Sequence, residues 1–327
     1  MNVRRRLIPA ALASALGLGA LTACSSDSAA TGNTDKFDVV ASFYPMAFLA
    51  EQIGGDHVNV SSLTEPGQEP HDLEISTKQR AQLEEADAAL FLKGLQPAVD
   101  EAVAQTGIKT KIDAATLTTL EDHGTGGHSH EGEEGHSEEG GHSEEEGHSE
   151  EEEHARDPHV WLDPVKYAEV AEGVGKAFEK ADPEHAADYK KNTAALVTKL
   201  NGLNSAFENG LKNTKTKVFF TNHAAFGYLA ERYGLTQEAI SGLDPESEPS
   251  GARVRELQEE AKADGVTTVF YETLVSDKTA KTLARDANLK TDVLDPLEGI
   301  TDKSRGDDYF QVMEANLKAL QKALGAK

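Results

Sequence analysis

The 327-residue chain contains one cysteine, one tryptophan and three methionines. A lone cysteine leaves no internal disulfide framework and no thiolate-based zinc or iron–sulfur site. Positive charge is scarce as well: 32 Lys and Arg stand against 57 Asp and Glu, for a formal net charge of −25. Phosphate backbones are held by clustered Lys and Arg, so no nucleic-acid partner is expected. Neither His-Glu-x-x-His nor Gly-x-Ser-x-Gly occurs, which removes a zinc-protease and a serine-hydrolase signature. Beyond residue 21 no run is long and apolar enough to span a bilayer. What is present is 38% apolar and 27% charged residues, enough to bury a core over most of the chain. The length suggests about two domains.

The N-terminus accounts for the cysteine. Arg4, Arg5 and Arg6 precede an apolar stretch from Leu7 to about Leu21. This is a secretory leader pattern, short for a spanning helix. It ends in Leu21-Thr22-Ala23-Cys24, which resembles the lipobox of bacterial lipoproteins. That resemblance implies that residues 1–23 are a lipoprotein signal peptide and that Cys24 is lipidated. Residues 24–35 are rich in Ser, Ala, Thr, Gly and Asp, as in a flexible tether. The mature chain is then expected to be exported and lipid-anchored at the outer face of the cytoplasmic membrane.

After the tether, strand-like and helix-like segments alternate. Residues 37–42 read as a strand, 45–53 as a helix stopped by Gly54-Gly55, and 88–92 as a strand buried on both faces. Ser76 is a candidate N-cap for a helix to residue 86, and Pro97 opens another. The same alternation resumes after residue 217. Between these regions, residues 183–212 carry Leu196, Leu200, Leu203, Phe207 and Leu211 at spacings of three and four, a long helix suited to a rigid connector. The expected fold class is α/β, with two lobes of mainly parallel sheets flanked by helices and bridged by one long helix. The lobes are placed at residues 36–182 and 213–327.

One segment breaks the pattern. Residues 121–154 hold seven histidines, fourteen acidic residues and no Lys or Arg. His130, His136, His142, His148 and His154 recur every six residues, with His123 and His128 before them. With no apolar face the segment cannot bury enough surface to order itself, and residues 121–155 are read as a disordered loop inserted in the first lobe. Its seven histidines are candidates for weak, secondary metal binding.

Three further histidines sit where a strand or apolar run meets a loop or a helix start. His71 lies in the stiff stretch Glu65-Pro66-Gly67-Gln68-Glu69-Pro70-His71, His159 in Asp157-Pro158-His159-Val160-Trp161-Leu162-Asp163-Pro164, and His223 directly after the strand at 217–221. Glu272 ends the strand at 266–271. In open α/β sheets, sites form at the carboxyl ends of strands. Three imidazoles and one carboxylate make a closed tetrahedral set for a borderline cation such as zinc, whereas calcium and magnesium prefer all-oxygen sites. Any one of these histidines alone is equally well a structural residue.

The segments Ser42-Phe43-Tyr44-Pro45, Glu69-Pro70-His71-Asp72-Leu73-Glu74, 157–164 and Asn222-His223-Ala224-Ala225-Phe226 together resemble the zinc- and manganese-binding solute receptors of bacterial ABC importers. The resemblance runs from about residue 36 to the C-terminus. It implies a metal held in the cleft between the lobes, with His71, His159 and His223 as ligands. Zinc members have histidine at the third position, where manganese members typically have glutamate. For the fourth ligand the resemblance points to Glu272, with Asp295, Glu69 or water as alternatives. The implied function is high-affinity Zn²⁺ capture outside the membrane and delivery to an ABC transporter permease, by a monomer without enzymatic activity. The alternatives are a manganese receptor of the same family, an exported zinc enzyme or a metal chaperone.

Overall fold

A computed structural model describes residues 36–123 and 156–327. The leader, Cys24, the tether, and His128, His130, His136, His142, His148 and His154 lie outside the described residues.

The first lobe is built on β1 (Phe37–Ala41), β2 (Val58–Ser62), β3 (Ala88–Phe91) and β4 (Thr110–Asp113), all parallel, in the order β2-β1-β3-β4. The crossovers are α1 (Tyr44–Gly54), α2 (Thr77–Glu85) and α3 (Pro97–Gln105). The second lobe repeats the order, β6-β5-β7-β8. Its strands are β5 (Val218–Thr221), β6 (Thr236–Ala239), β7 (Thr268–Tyr271) and β8 (Lys290–Val293). Between the lobes run α4 (Pro164–Ala181) and the long α5 (Ala186–Leu211). The second lobe's helices are α6 (Gly227–Arg232), α7 (Gly251–Ala263), α8 (Lys278–Asp286) and α9 (Tyr309–Leu324). Among the described residues no helix is long and apolar enough to cross a membrane.

Local chemistry explains the boundaries. Ser76 and Gln79 form a reciprocal capping box at the start of α2. Asp163 caps α4 by accepting from the Val165 amide, with Pro164 in the first turn. Gly55 ends α1 at φ +55°, a backbone conformation that side chains with a Cβ rarely adopt. Two strands, β4 and β6, have no counterpart in the sequence reading. Both are sheet-edge strands of four residues and mixed polarity, Thr-Lys-Ile-Asp and Thr-Gln-Glu-Ala, so neither carries a clear apolar signal. The helix after β5 begins only at Gly227. Residues 222–224 are committed to other partners: the His223 carbonyl accepts from Thr221 Oγ1 and Gln237 Nε2, and the Ala224 amide donates to the Gly242 carbonyl.

The main hydrophobic core is shared by both lobes. It runs from Val39, Phe43 and Leu49 through Trp161, Tyr167, Leu200 and Phe207 to Leu297, Tyr309 and Leu320. Smaller clusters lie around Val40, Leu83 and Val103 in the first lobe and around Phe220, Leu257 and Leu283 in the second. The lobes are also tied by directed bonds. Trp161 Nε1 donates to the Pro296 carbonyl at 2.7 Å, the Tyr309 hydroxyl donates to the Trp161 carbonyl at 2.6 Å, and Arg232 pairs with Asp163.

This packing makes α5 a structural column. Phe207 is fully buried and stacks on Tyr233 with ring centroids 5.2 Å apart. Phe207→Ala should lower unfolding free energy by about 3–5 kcal/mol. Lys190→Ala, on the exposed face of the same helix, should stay within about 0.5 kcal/mol. Urea unfolding of the two variants beside the parent checks both; equal stabilities would remove α5 from the core.

Candidate metal centre

The loop after β2 delivers His71. The Glu69 carboxylate accepts from the His71 amide at 3.0 Å and from the Asp72 amide at 3.2 Å, fixing the turn. Glu69 therefore serves the backbone and is not among the four groups that meet here. His159 comes from the strap before α4, and His223 directly follows β5. These three rings face one another, with centroids 5.3–5.9 Å apart.

The carboxylate that meets them is Glu298, not Glu272. His71 Nε2, His159 Nε2 and His223 Nε2 lie 3.3, 3.4 and 3.3 Å from the single oxygen Glu298 Oε1. All four donor atoms fall within 4.8 Å of one another. A tetrahedral zinc with bonds of about 2.0–2.2 Å separates its ligands by roughly 3.3–3.5 Å. The spacing from Glu298 to the imidazoles is thus the edge of a zinc tetrahedron. His159 Nε2, His223 Nε2 and Glu298 Oε2 are buried without a hydrogen-bond partner, which in a native interior calls for an explanation such as an ion.

Glu272 stands behind His223. Its Oε1 lies 2.6 Å from His223 Nδ1, on the side of the ring away from Glu298. Asp157 does the same for His159: its Oδ1 meets His159 Nδ1 at 2.7 Å and the His159 amide at 2.9 Å. Each carboxylate faces Nδ1 and leaves Nε2 turned toward Glu298, the arrangement that commonly supports a metal-binding histidine from outside. Sequence position alone could not separate this role from ligation, because both need a carboxylate at a strand end.

Asp295 has a third role. It is buried and accepts from the Leu297 amide, Thr273 Oγ1 and Ser304 Oγ, while Asn316 bonds its backbone on both sides. Burial raises its carboxyl above the usual range despite these bonds. The turn it organises holds the fully buried Leu297 at φ +58°, a strained conformation for a branched residue, and that turn aims Glu298 inward. Glu298 sits two residues past Pro296, and only this turn gives it away.

The charge balance is specific. Burial favours neutral imidazole at His223, but the Glu272 and Glu298 carboxylates outweigh it and hold His223 well above the usual histidine range. His159 is also raised, because Asp157 overcomes its burial. Glu298 is held well below the usual carboxylate range, since the three imidazoles overcome its own desolvation. The pocket therefore prefers positive charge at its centre.

His123 is not part of this set. It lies beside it, bonded to Asp157 and Glu231.

Comparison with known proteins identifies the family. A family model described as zinc-uptake complex component A, periplasmic, matches residues 39–323. The zinc-binding lipoprotein AdcA of Streptococcus pneumoniae is 38% identical over 316 residues, covering 92% of this chain and 58% of that protein. This chain thus spans little more than half the length of the streptococcal AdcA proteins it matches. The high-affinity zinc uptake system protein ZnuA of Bacillus subtilis is 35% identical over 327 residues, covering 95% and 98% of the two chains. Among solved structures, the Zn(II)-bound ZnuA-like domain of S. pneumoniae AdcA superposes with a TM-score of 0.70 at 34% identity, covering 88% and 99%. The laminin-binding protein Lmb of Streptococcus agalactiae, described as an adhesin with metal-transporting activity, gives 0.74 at 28% identity, covering 88% and 100%. With nearly the whole folded chain matched, it belongs to the family of the periplasmic zinc-uptake complex component A.

Proposed function

We propose that this chain captures Zn²⁺ outside the cytoplasmic membrane and hands it to an ABC permease for import, with His71, His159, His223 and Glu298 as the four ligands. The observation that carries this reading is the meeting of three Nε2 atoms around one buried carboxylate oxygen at the spacing of a zinc tetrahedron. The names of the relatives support zinc as the cargo. Four protein ligands leave no open coordination position, which supports capture rather than hydrolysis. Three imidazoles favour zinc over manganese, whose preference is for oxygen donors.

His71 is the ligand in contact with solvent, with 12% of its side chain exposed, while the side chains of the other three are buried. An ion enters and leaves past His71, and the His71 loop is the element that yields on delivery. The leader and Cys24 support export and anchoring through lipid, with the folded chain acting as a monomer at the outer face of the cytoplasmic membrane. The histidines beyond residue 123 supply weak, multivalent cation binding nearby, aided by their acidic neighbours.

Two measurements test the site. In competition titrations against a zinc chelator, Glu298→Gln and each of His71→Ala, His159→Ala and His223→Ala should weaken binding by more than about 100-fold, whereas Glu272→Gln should cost about 10–100-fold, as an outer supporting group does. Equal losses for the two glutamates, or unchanged affinity in the histidine variants, would defeat the ligand assignment.

The second concerns pH. Metal binding needs neutral imidazoles, and His159 and His223 hold protons above the ordinary histidine range. Apparent zinc affinity should therefore fall as pH drops, beginning above about pH 6.5. In the metal-free chain these raised values add stability that is complete below the unfolded histidine pKa, about 6.5, and is lost as pH rises through the folded values. The gain in Tm on adding zinc should accordingly widen from pH 6 to pH 8. A constant gain across that range would show that no proton competes for the site.

A further inference from the structure

His123 shares a construction with two of the proposed cleft ligands. Its Nδ1 meets Asp157 Oδ2 at 2.8 Å, while the other oxygen of the same carboxylate meets His159 Nδ1 at 2.7 Å. His123 Nε2 points away from Asp157 and meets Glu231 Oε2 at 2.9 Å. His159 and His223 are built alike, with a carboxylate on Nδ1 and another acid facing Nε2. A third donor, Glu121, completes a group whose ligand atoms all lie within 4.8 Å of one another.

We propose that Glu121, His123 and Glu231 form a second divalent-cation site that clasps the two lobes together. Glu121 and His123 belong to the strap that leaves the first lobe, and Glu231 to α6 of the second. One imidazole and two carboxylates suit a borderline ion of the zinc class. The carboxylates of Glu121, Asp157 and Glu231 gather around the His123 ring, with Lys166 paired to Glu121 and His159 paired to Asp157.

The seat is shaped for the ring. Tyr228 stands edge-on to His123 at 4.3 Å between centroids. A Cβ added to Gly227 would come within 2.5–2.7 Å of the His123 side chain, so the ring occupies space that only glycine leaves open. The Tyr228 hydroxyl accepts from the Glu121 amide and donates to the Asp157 carbonyl, each at 2.8 Å, and the Asp157 amide donates to the Glu121 carbonyl. A cavity of about 220 Å³ opens beside His123 and Glu231. The clasp is a built site of its own, separate from weak binding by the histidines that follow, and it stands independently of the transport reading.

The test uses the full chain and Zn²⁺ alone. Crystals grown with excess zinc and measured at the zinc edge should show one anomalous peak in the cleft and a second about 2.0–2.2 Å from His123 Nε2 and a Glu231 oxygen. Glu231→Gln, at a side chain 60% exposed and so harmless to folding, should abolish the second peak and leave the first. In solution, with the cleft already filled, it should weaken binding of the next ion at least about tenfold, and zinc should slow amide exchange over residues 227–232 in the parent but not in the variant. The clasp is refuted if the filled cleft is accompanied by no second peak. A peak that survives both Glu231→Gln and His123→Ala refutes it equally, being an adventitious ion only. A second peak with an empty cleft would instead count against the zinc-capture reading and leave the clasp standing.

Discussion

Glu298 is buried and nonetheless keeps its carboxylate ionised, because three imidazole nitrogens face one of its oxygens at 3.3–3.4 Å. Burying a carboxylate is costly unless a positive partner is supplied. In the metal-free chain, protons on the histidines fill that role, at values pushed up by the carboxylates themselves. On the proposed reading a divalent cation would fill it better, since it would satisfy all four donors at once. The pocket would then be organised before the ion arrives, and the electrostatic cost of assembling it would become part of the driving force for binding.

That arrangement depends on supports that never touch the ion. Asp157 and Glu272 fix which nitrogen of His159 and His223 is presented. Asp295 holds the strained turn that aims Glu298. The topology explains why these groups coincide. Each lobe has the same parallel strand order, so in both the carboxyl ends of the strands open on the same side. His71 follows β2, His223 follows β5, Glu272 follows β7 and Glu298 follows β8.

The histidines were legible because each sits in a local context with its own signal: prolines before His71, Asp-Pro on both sides of His159, a buried strand before His223. The carboxylates were not. Glu272 ends a strand and reads as a ligand, whereas in the structure it lies 2.6 Å from His223 Nδ1, on the far side of the ring from Glu298. Glu298 lies past a proline on a turn whose shape depends on Asp295, Thr273, Ser304 and Asn316, contacts between residues far apart in the chain. No local pattern encodes such a turn. The fold divides in the same way. The buried strand β3 reads directly from its apolar run, whereas the edge strands β4 and β6 owe their conformation to pairing with neighbours rather than to their own composition.

The shared core limits how such a site can release its ion. Trp161, Tyr309 and Phe43 weld the lobes directly beneath the ligands, with Trp161 in edge contact with Phe43 and bonded to the Pro296 carbonyl next to the Glu298 turn. Swinging one lobe away from the other would expose this apolar surface to water, and a close-packed interior resists graded deformation. A loop can move at far smaller cost. The His71 loop is held by the carboxylate of Glu69, which accepts from the His71 and Asp72 amides. On the proposed ligand set, rigidity at three residues and compliance at His71 would reconcile capture with release: the buried three would keep their geometry, and moving His71 alone would open the shell to solvent.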